Sequence, residues 1–507
     1  MERRKFIKQT ALAGAALWAA KYSWGKGLVM SDFPEVRVPL GQRRFKSIAV
    51  ENLINEIQQN ISNKEIAWLF NNCFPNTLDT TVDYSLIDGK PDTFVITGDI
   101  DAMWLRDSSA QIMPYLPLCK NDGLLQNMIE GVIRRQNKCI ILDPYANAFY
   151  KDDTKVSEWK KTDNTDMKPG VHERKWELDS LCYPIRLAYH YWQETDDTAP
   201  FDEQWKAAML LVIKTFKEQQ RINGQGSYSF QRTADCLPLG GYGFPCQPNG
   251  LICSAFRPSD DATIFLYLIP SNYFAVKSLM QLGEMLEKIS RDLDAARDAR
   301  DLSRQVSLAL QSLSVMHPKF GKIYPYETNG YGGINIMDDA NAPSLLSLPY
   351  LETVNTNDNT YLNTRQLSLS DENPFFFKGK YAEGVGSPHT GLNRVWHIGI
   401  IMRGLTSSDP KEIADCIEML RTTHAGTGFM HESFDPDAPI DFTRKWFAWA
   451  NTLFGEFIWK VYREHKKLLD VVTPTPPQNA AAPATAAPAK KPAEKENNLL
   501  HRFRRRK

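Results

Sequence analysis

The sequence predicts an all-α protein in which paired helices form a toroid and long loops at one end carry the chemistry. Three observations support this. Apolar residues recur at helical spacing through most of the chain between residues 45 and 469. Strand-like alternation is scarce. The helical stretches are separated by long loops rich in Gly, Asn, Asp and aromatic residues at 97–108, 236–261, 324–349 and 375–393. Loops of that length inside a compact domain are usually functional, and here several of them set carboxylates beside aromatic rings. No internal repeat is strong enough to count the helix pairs.

Helices are expected at 123–136, 180–193, 205–219, 271–313, 397–406, 411–422 and 443–465, the longest of these broken in two. The stretch 178–192 is apolar nearly all round, the pattern of an inner helix covered by an outer one. No linker rich in Gly, Ser or Pro interrupts the body, so residues 26–469 read as a single catalytic domain. With 42% hydrophobic and 11% aromatic residues, a 507-residue chain can bury a large core.

Sixty basic and sixty acidic residues cancel, so the bulk charge gives no reason to expect a protein that follows a phosphate backbone, and nucleic acid is not an expected partner. The eight cysteines form no CxxC pair and no zinc spacing, and their spacing fixes no disulfide, a Cys236–Cys246 bridge included.

The two ends differ from the body. Arg3-Arg4-Lys5-Phe6-Ile7-Lys8 precedes an alanine-rich apolar run at 11–20, the layout of a twin-arginine-like export signal. The run is shorter than the roughly 20 residues that span a bilayer. Residues 1–25 are therefore expected to be a removable signal that directs the protein to the periplasm. Residues 470–507 are rich in Pro and Ala and end in a basic cluster, a composition that cannot offset its own ordering entropy, so a disordered tail is expected.

Chemistry concentrates in three segments. Thr97-Gly98-Asp99-Ile100-Asp101-Ala102-Met103-Trp104-Leu105-Arg106-Asp107-Ser108 combines three carboxylates, a guanidinium and an indole, which suits a pyranose ring that needs forked hydrogen bonds beside a flat apolar face. Its structural alternative is a salt-bridged turn capped by Asp107 or Ser108. Phe256-Arg257-Pro258-Ser259-Asp260-Asp261-Ala262 sets adjacent carboxylates where a helix is expected to begin. Capping accounts for one acid there, whereas two close carboxylates raise each other's proton affinity. Gly428-Phe429-Met430-His431-Glu432-Ser433 places a carboxylate between a glycine-containing turn and an aromatic residue. Asp338-Asp339-Ala340-Asn341 invites a calcium reading, but no glutamate closes a 12-residue loop. HExxH, phosphate-binding glycine loops and a nucleophile elbow are absent. Carboxylates and aromatics on several loops, with no cofactor signature, point to carbohydrate chemistry by two carboxyl groups.

In order and spacing, 97–111, 256–262, 331–341 and 431–434 resemble the hallmark segments of glycoside hydrolase family 125, the resemblance extending over roughly residues 47–460. It implies an (α/α)6 barrel and exo-hydrolysis of non-reducing α-1,6-linked mannose with inversion, without metal or cofactor, on mannose-containing glycans and with no stable protein partner. By the same resemblance the general acid falls at Asp260 or Asp261, Asp260 being preferred, and the general base at Glu432. Asp99, Asp101, Arg106 and Asp107 are expected to grip the terminal mannose, with Trp104 as a wall. Asp179, Arg257, His389 and His397 are further binding or orienting candidates, from their place in or beside polar loops.

Three other readings remain open from the residues alone. An inverting barrel hydrolase of the glucoamylase or trehalase kind would share the acid and base but prefer another sugar. A glycan-binding envelope protein would keep the barrel and lack a carboxylate. A calcium-dependent mannosidase would lose activity to a chelator.

Overall fold

The computed structural model describes residues 33–233, 237–313 and 315–471. The expected export signal, Cys236 and all but Asp470 and Val471 of the expected tail lie outside these residues. Cys246 instead faces Cys253, with the sulfurs 3.4 Å apart.

Twelve α-helices of eight residues or more run through the described residues: α1 (Ile48–Asn60), α2 (Lys64–Cys73), α3 (Leu105–Ile112), α4 (Gly123–Leu142), α5 (Leu178–Thr195), α6 (Glu203–Gln219), α7 (Ile269–Lys288), α8 (Leu293–Ser312), α9 (Asn359–Ser368), α10 (His397–Leu405), α11 (Pro410–Thr423) and α12 (Ala448–Glu464). The predicted helix at 271–313 is indeed two, α7 and α8, which pack as a hairpin. Together they form an (α/α)6 barrel. Helix α3 packs on α5, α5 on α7, α10 on α12, and α12 returns to α3; α4, α6, α8 and α11 cover this ring from outside. Between α7 and α10 lies α9, whose Tyr361 joins a core cluster with Leu268 and whose Arg365 donates to the Arg403 carbonyl at 3.0 Å.

The inner and outer helices begin differently. Seven helices, α1, α2, α4, α6, α8, α9 and α11, are capped by Ser47, Asn63, Asp122, Asp202, Asp292, Asp358 and Asp409, whose side chains accept hydrogen bonds from the first turn. The five helices that line the barrel, α3, α5, α7, α10 and α12, have Trp104, Glu177, Leu268, Trp396 and Phe447 at the cap position, and none of these makes a side-chain cap. A neighbouring loop supplies the acceptor instead. Leu105 donates its N–H to the Asn147 carbonyl at 3.1 Å, Ile269 to Tyr326 at 2.9 Å and Ala448 to Thr97 at 3.0 Å, while Leu178 donates to the Ser254 hydroxyl at 3.0 Å. The cap positions are thereby free to carry large side chains toward the loop-built end.

Short antiparallel ladders stitch those loops together. Met103–Trp104 pairs with Ala148–Phe149, which pairs with Val171–Glu173; Val395–Trp396 pairs with Ser433–Asp435, which pairs with Ala438–Phe442. The helix expected to begin near Asp260 is absent. Residues 256–262 form a tight turn closed by the Arg257 N–H on the Asp261 carbonyl at 2.8 Å, and the next helix starts only at Ile269. Likewise, Asp107 and Ser108 lie inside α3 and do not cap it.

Gly98 shows how tightly two of these loops meet. Its φ is +132°, it bridges to Phe447, and a Cβ there would collide with the backbone carbonyl of Trp446. Gly98→Ala is expected to destabilise the protein by about 1–3 kcal/mol in urea unfolding, because it combines left-handed strain with a backbone clash; an unchanged midpoint would show that the loops can separate.

Candidate active site

A cavity of about 160 Å³ opens where the inner helices begin. Its aromatic walls are Trp104, Trp396, Phe447 and Trp449, the first three standing at the cap positions of inner helices and the fourth in the first turn of α12. Arg106, Asp107, Asn341, His389 and Arg444 supply polar groups, and Asp260 and Glu432 bring one carboxyl each. The indole N–H of Trp104 and the amide nitrogen of Asn341 are buried donors with no protein partner, so both are free to bind hydroxyl groups of a ligand.

Asp260 sits at the apex of the 256–262 turn with φ +68°, a conformation that aspartate tolerates better than most residues. The turn is fixed by the Asp260 N–H on the Arg257 carbonyl at 2.9 Å and by Lys175 Nζ on the Asp260 carbonyl at 2.8 Å. The Asp260 carboxyl accepts from Asn147 Nδ2 at 3.1 Å and lies 3.7 Å from Arg106 Nη2. Asp261 is placed differently. It accepts from the Ser259 hydroxyl at 3.0 Å, stands 3.6 Å from His389 Nδ1, and is not part of the cavity wall.

Glu432 enters from the strand pair around Ser433–Asp435. Thr443 donates its hydroxyl to Glu432 Oε2 at 2.9 Å, and Arg444 Nη1 lies 3.5 Å from Oε1. Arg444 in turn holds Asp99 through Nε at 2.9 Å and Nη2 at 2.5 Å, donates to the Thr97 hydroxyl at 3.2 Å, and lies over the Phe447 ring at 4.5 Å. Asp99 therefore serves through Arg444.

Beneath the cavity, Arg106 is shared among four carboxyl groups: Glu177 at 2.6 Å, Asp179 at 3.2 Å, Asp107 at 3.5 Å and Asp260 at 3.7 Å. Burial pushes Asp107 up to about 6, with Arg106 and Arg444 pulling the other way. For His389, burial alone would favour the neutral ring, but Asp261, Asp260 and Glu432 outweigh it and raise its pKa to about 9, so the ring is cationic at neutral pH.

The sequence-predicted residues thus divide. Trp104, Arg106, Asp107, Asp260, His389 and Glu432 meet on one cavity. Asp179 is fully buried below it on Arg106, and Arg257 lies behind it, donating to Glu327 at 2.7 Å. Asp101 is exposed and outside the wall, because the short strand Met103–Trp104 begins after it and turns only the following residues inward. His397 lies in the core: its ring nitrogens contact the His431 backbone and the Thr423 hydroxyl, and burial holds it neutral with a pKa near 3. Asp338 and Asp339 order their own turn, accepting from Leu345 and Leu346 N–H groups and from Asn341 N–H and Ser387.

Sequence reasoning missed Asn147, Lys175, Trp396, Arg444, Phe447 and Trp449, and in the candidate segment Trp176-Glu177-Leu178-Asp179-Ser180 it chose Asp179 over Glu177. The aromatic cap positions carry one signal that could have found three of them, an aromatic residue immediately before or within the start of an apolar helix. Arg444 carries none, since an arginine in a polar loop is common.

The pattern that defines the metal-independent alpha-mannosidases (GH125) matches residues 63–459 of this chain. The chain is 42% identical over 449 residues to the Meiotically up-regulated gene 157 protein of Schizosaccharomyces pombe, covering 84% of this chain and 88% of that one. A solved Streptococcus pneumoniae metal-independent alpha-mannosidase, in a non-productive complex with alpha-1,6-mannobiose, is similar in structure with a TM-score of 0.79 and 38% identity, over 85% of this chain and all of that chain.

The electrostatic picture has a direct check. NMR titration of His389 is expected to give a pKa near 9, and Asp261→Asn should lower it by removing the first of its carboxylate partners. A ring that titrates at its ordinary value in both proteins would refute the pairing.

Proposed function

The chain belongs to glycoside hydrolase family 125, the metal-independent alpha-mannosidases, and from that premise we propose that it removes non-reducing terminal α-1,6-linked mannose from glycans with inversion, Asp260 acting as general acid and Glu432 as general base. The observation that carries this reading is that these two carboxyl groups, drawn from segments far apart in sequence, face one small cavity walled by aromatic rings. The acid protonates the departing glycosidic oxygen while the base takes a proton from a water on the other face of the sugar, an arrangement that needs a gap of roughly 6.5–9.5 Å between the carboxyls. Asp261 keeps a supporting role, holding His389 beside the acid.

The remaining wall suits one terminal sugar. Trp104 and Trp396 offer flat faces, and Asp107, Arg106, Asn341 and the Trp104 N–H offer hydrogen-bonding groups to ring hydroxyls. The choice of α-1,6-linked mannose rests on the ligand of the similar Streptococcus pneumoniae enzyme. From the export-signal pattern of the N-terminal sequence we propose that this activity takes place in the periplasm.

Wild-type protein is expected to release mannose from α-1,6-mannobiose in the presence of EDTA, with the β-anomer appearing first by NMR. Glu432→Gln and Asp260→Asn should each lower kcat by about 10²–10⁴-fold, and Asp261→Asn by much less. Preference for an α-glucoside would favour the glucoamylase-like or trehalase-like reading, binding without release the glycan-binding one, and loss to EDTA alone the calcium-dependent one.

A further inference from the structure

A general acid must carry a proton when the substrate arrives, and the surroundings of Asp260 oppose that. Burial favours its neutral form, but Lys175, Arg106, a hydrogen bond with Glu177, and His389 outweigh burial and hold it below the usual carboxylate range. The carboxyl next to it behaves the opposite way. Glu177 is wholly buried, and burial pushes it well above its ordinary value against Arg106, with Asp260 and Asp179 adding to the rise.

The geometry joins the two. Asn147 Nδ2 lies between them, 3.1 Å from Asp260 Oδ1 and 3.4 Å from Glu177 Oε1, and the two carboxyls are within hydrogen-bonding reach of each other. Glu177 Oε2 accepts from Arg106 Nη1 at 2.6 Å and from the Ser180 hydroxyl at 2.7 Å. The charged groups facing the pair are Arg106 and Asp107 from α3, Asp179 from α5, Glu173 from the strand before α5, Lys175 from the segment between that strand and α5, and His389 from the loop before α10. One guanidinium beneath four carboxyl groups leaves the cluster rich in acid, which is how a proton is retained near neutral pH.

We propose that Glu177 is the proton donor to Asp260, a positioning residue that keeps the general acid supplied while never touching the sugar. This rests on Asp260 being the acid. When a sugar fills the cavity it displaces water from the Asp260 side chain, which is one-quarter exposed, and so weakens the solvation of its anion. The O–H bond of Glu177 then breaks and one forms on Asp260, leaving the Glu177 anion against Arg106 and Ser180. Asp260 gives that proton to the glycosidic oxygen as the bond to the sugar carbon breaks, and Glu432 gains one from the attacking water. After the products leave, Glu432 loses its proton to solvent and the pair takes one up, so protons balance over the cycle.

The test compares two substrates, α-1,6-mannobiose, whose leaving group needs a proton, and 2,4-dinitrophenyl α-mannoside, whose leaving group does not. Glu177→Gln is expected to lower kcat on mannobiose at least about 100-fold, to change kcat on the dinitrophenyl substrate by only a few-fold, and to leave KM for both nearly constant. Asp260→Asn is the reference and should show the same leaving-group dependence. Equal losses on both substrates in Glu177→Gln, or no loss on mannobiose, would overturn the proposal while the acid assignment stands. An Asp260→Asn variant without leaving-group dependence would overturn both. Should circular dichroism show Glu177→Gln unfolded, Ser180→Ala decides. Removing a donor to the Glu177 anion raises the pair's proton affinity, so the alkaline limb of kcat moves to higher pH, and an unmoved limb refutes the idea.

Discussion

Four of the five helices that line the barrel start on a hydrogen bond lent by another segment: Asn147 to α3, Ser254 to α5, Tyr326 to α7 and Thr97 to α12. The first N–H groups of a helix have no partner within it, and in the outer helices a short polar side chain at the cap satisfies them. Inside the barrel that solution would put Ser, Asp or Asn where the cavity needs Trp104, Trp396 and Phe447. Borrowed acceptors remove the conflict. Each loop is tied to a neighbour's helix start, so the cavity wall and the barrel wall are the same set of contacts. Gly98 is the sharpest example, since the approach of its loop to Trp446 leaves no space for a side chain.

The same convergence brings the positive ends of several helix dipoles to one place. That field, with Arg106, Lys175, His389 and Arg444, accounts for how Asp107, Asp260, Glu177, Asp179 and Glu432 can be gathered in a volume largely closed to water. Burying charge is expensive unless it is shared and hydrogen-bonded. Here Arg106 is divided among several carboxyls and Glu432 is held by Thr443 and Arg444. What emerges is a graded set of environments in which neighbouring carboxyls differ in proton affinity, the condition for one to act as acid and another as base.

The helices were largely legible from apolar periodicity. The ends of α7, α8, α10 and α11 fall within a few residues of the expected positions, and 178–192 reads as inner because almost every side of α5 is covered. The short α3 escaped notice because its eight residues include only two large apolar side chains, Leu105 and Ile112, too few to set up a periodic signal. The hairpin at Val82–Ile87 and Lys90–Val95 was missed although Asp88 and Gly89, both at positive φ, form a recognisable turn. The other ladders are two to five residues long and leave no alternation to detect. At the site, Trp104, Arg106, Asp107, Asp260, His389 and Glu432, all named from the sequence, line the cavity. Asn147 and Arg444 were not named, and Glu177 was passed over for its neighbour Asp179, because their partners lie 30 to 345 positions away in the chain.

The cavity closes only when the last long helix, α12, packs against the first inner one, α3, and the two ends of the body also meet where Thr452 of α12 reaches Thr77 and the Asn63 N–H reaches the Leu469 carbonyl. Local hairpins such as α7–α8 can form early, since their ends are close in sequence, whereas joining segments hundreds of residues apart carries the full entropy of closing a long loop. Helical content and catalytic competence should therefore arise at different moments in the life of the chain. A nascent or truncated polypeptide can hold most of its helices and still present an open trough, and hydrolysis becomes available only once the circle is complete.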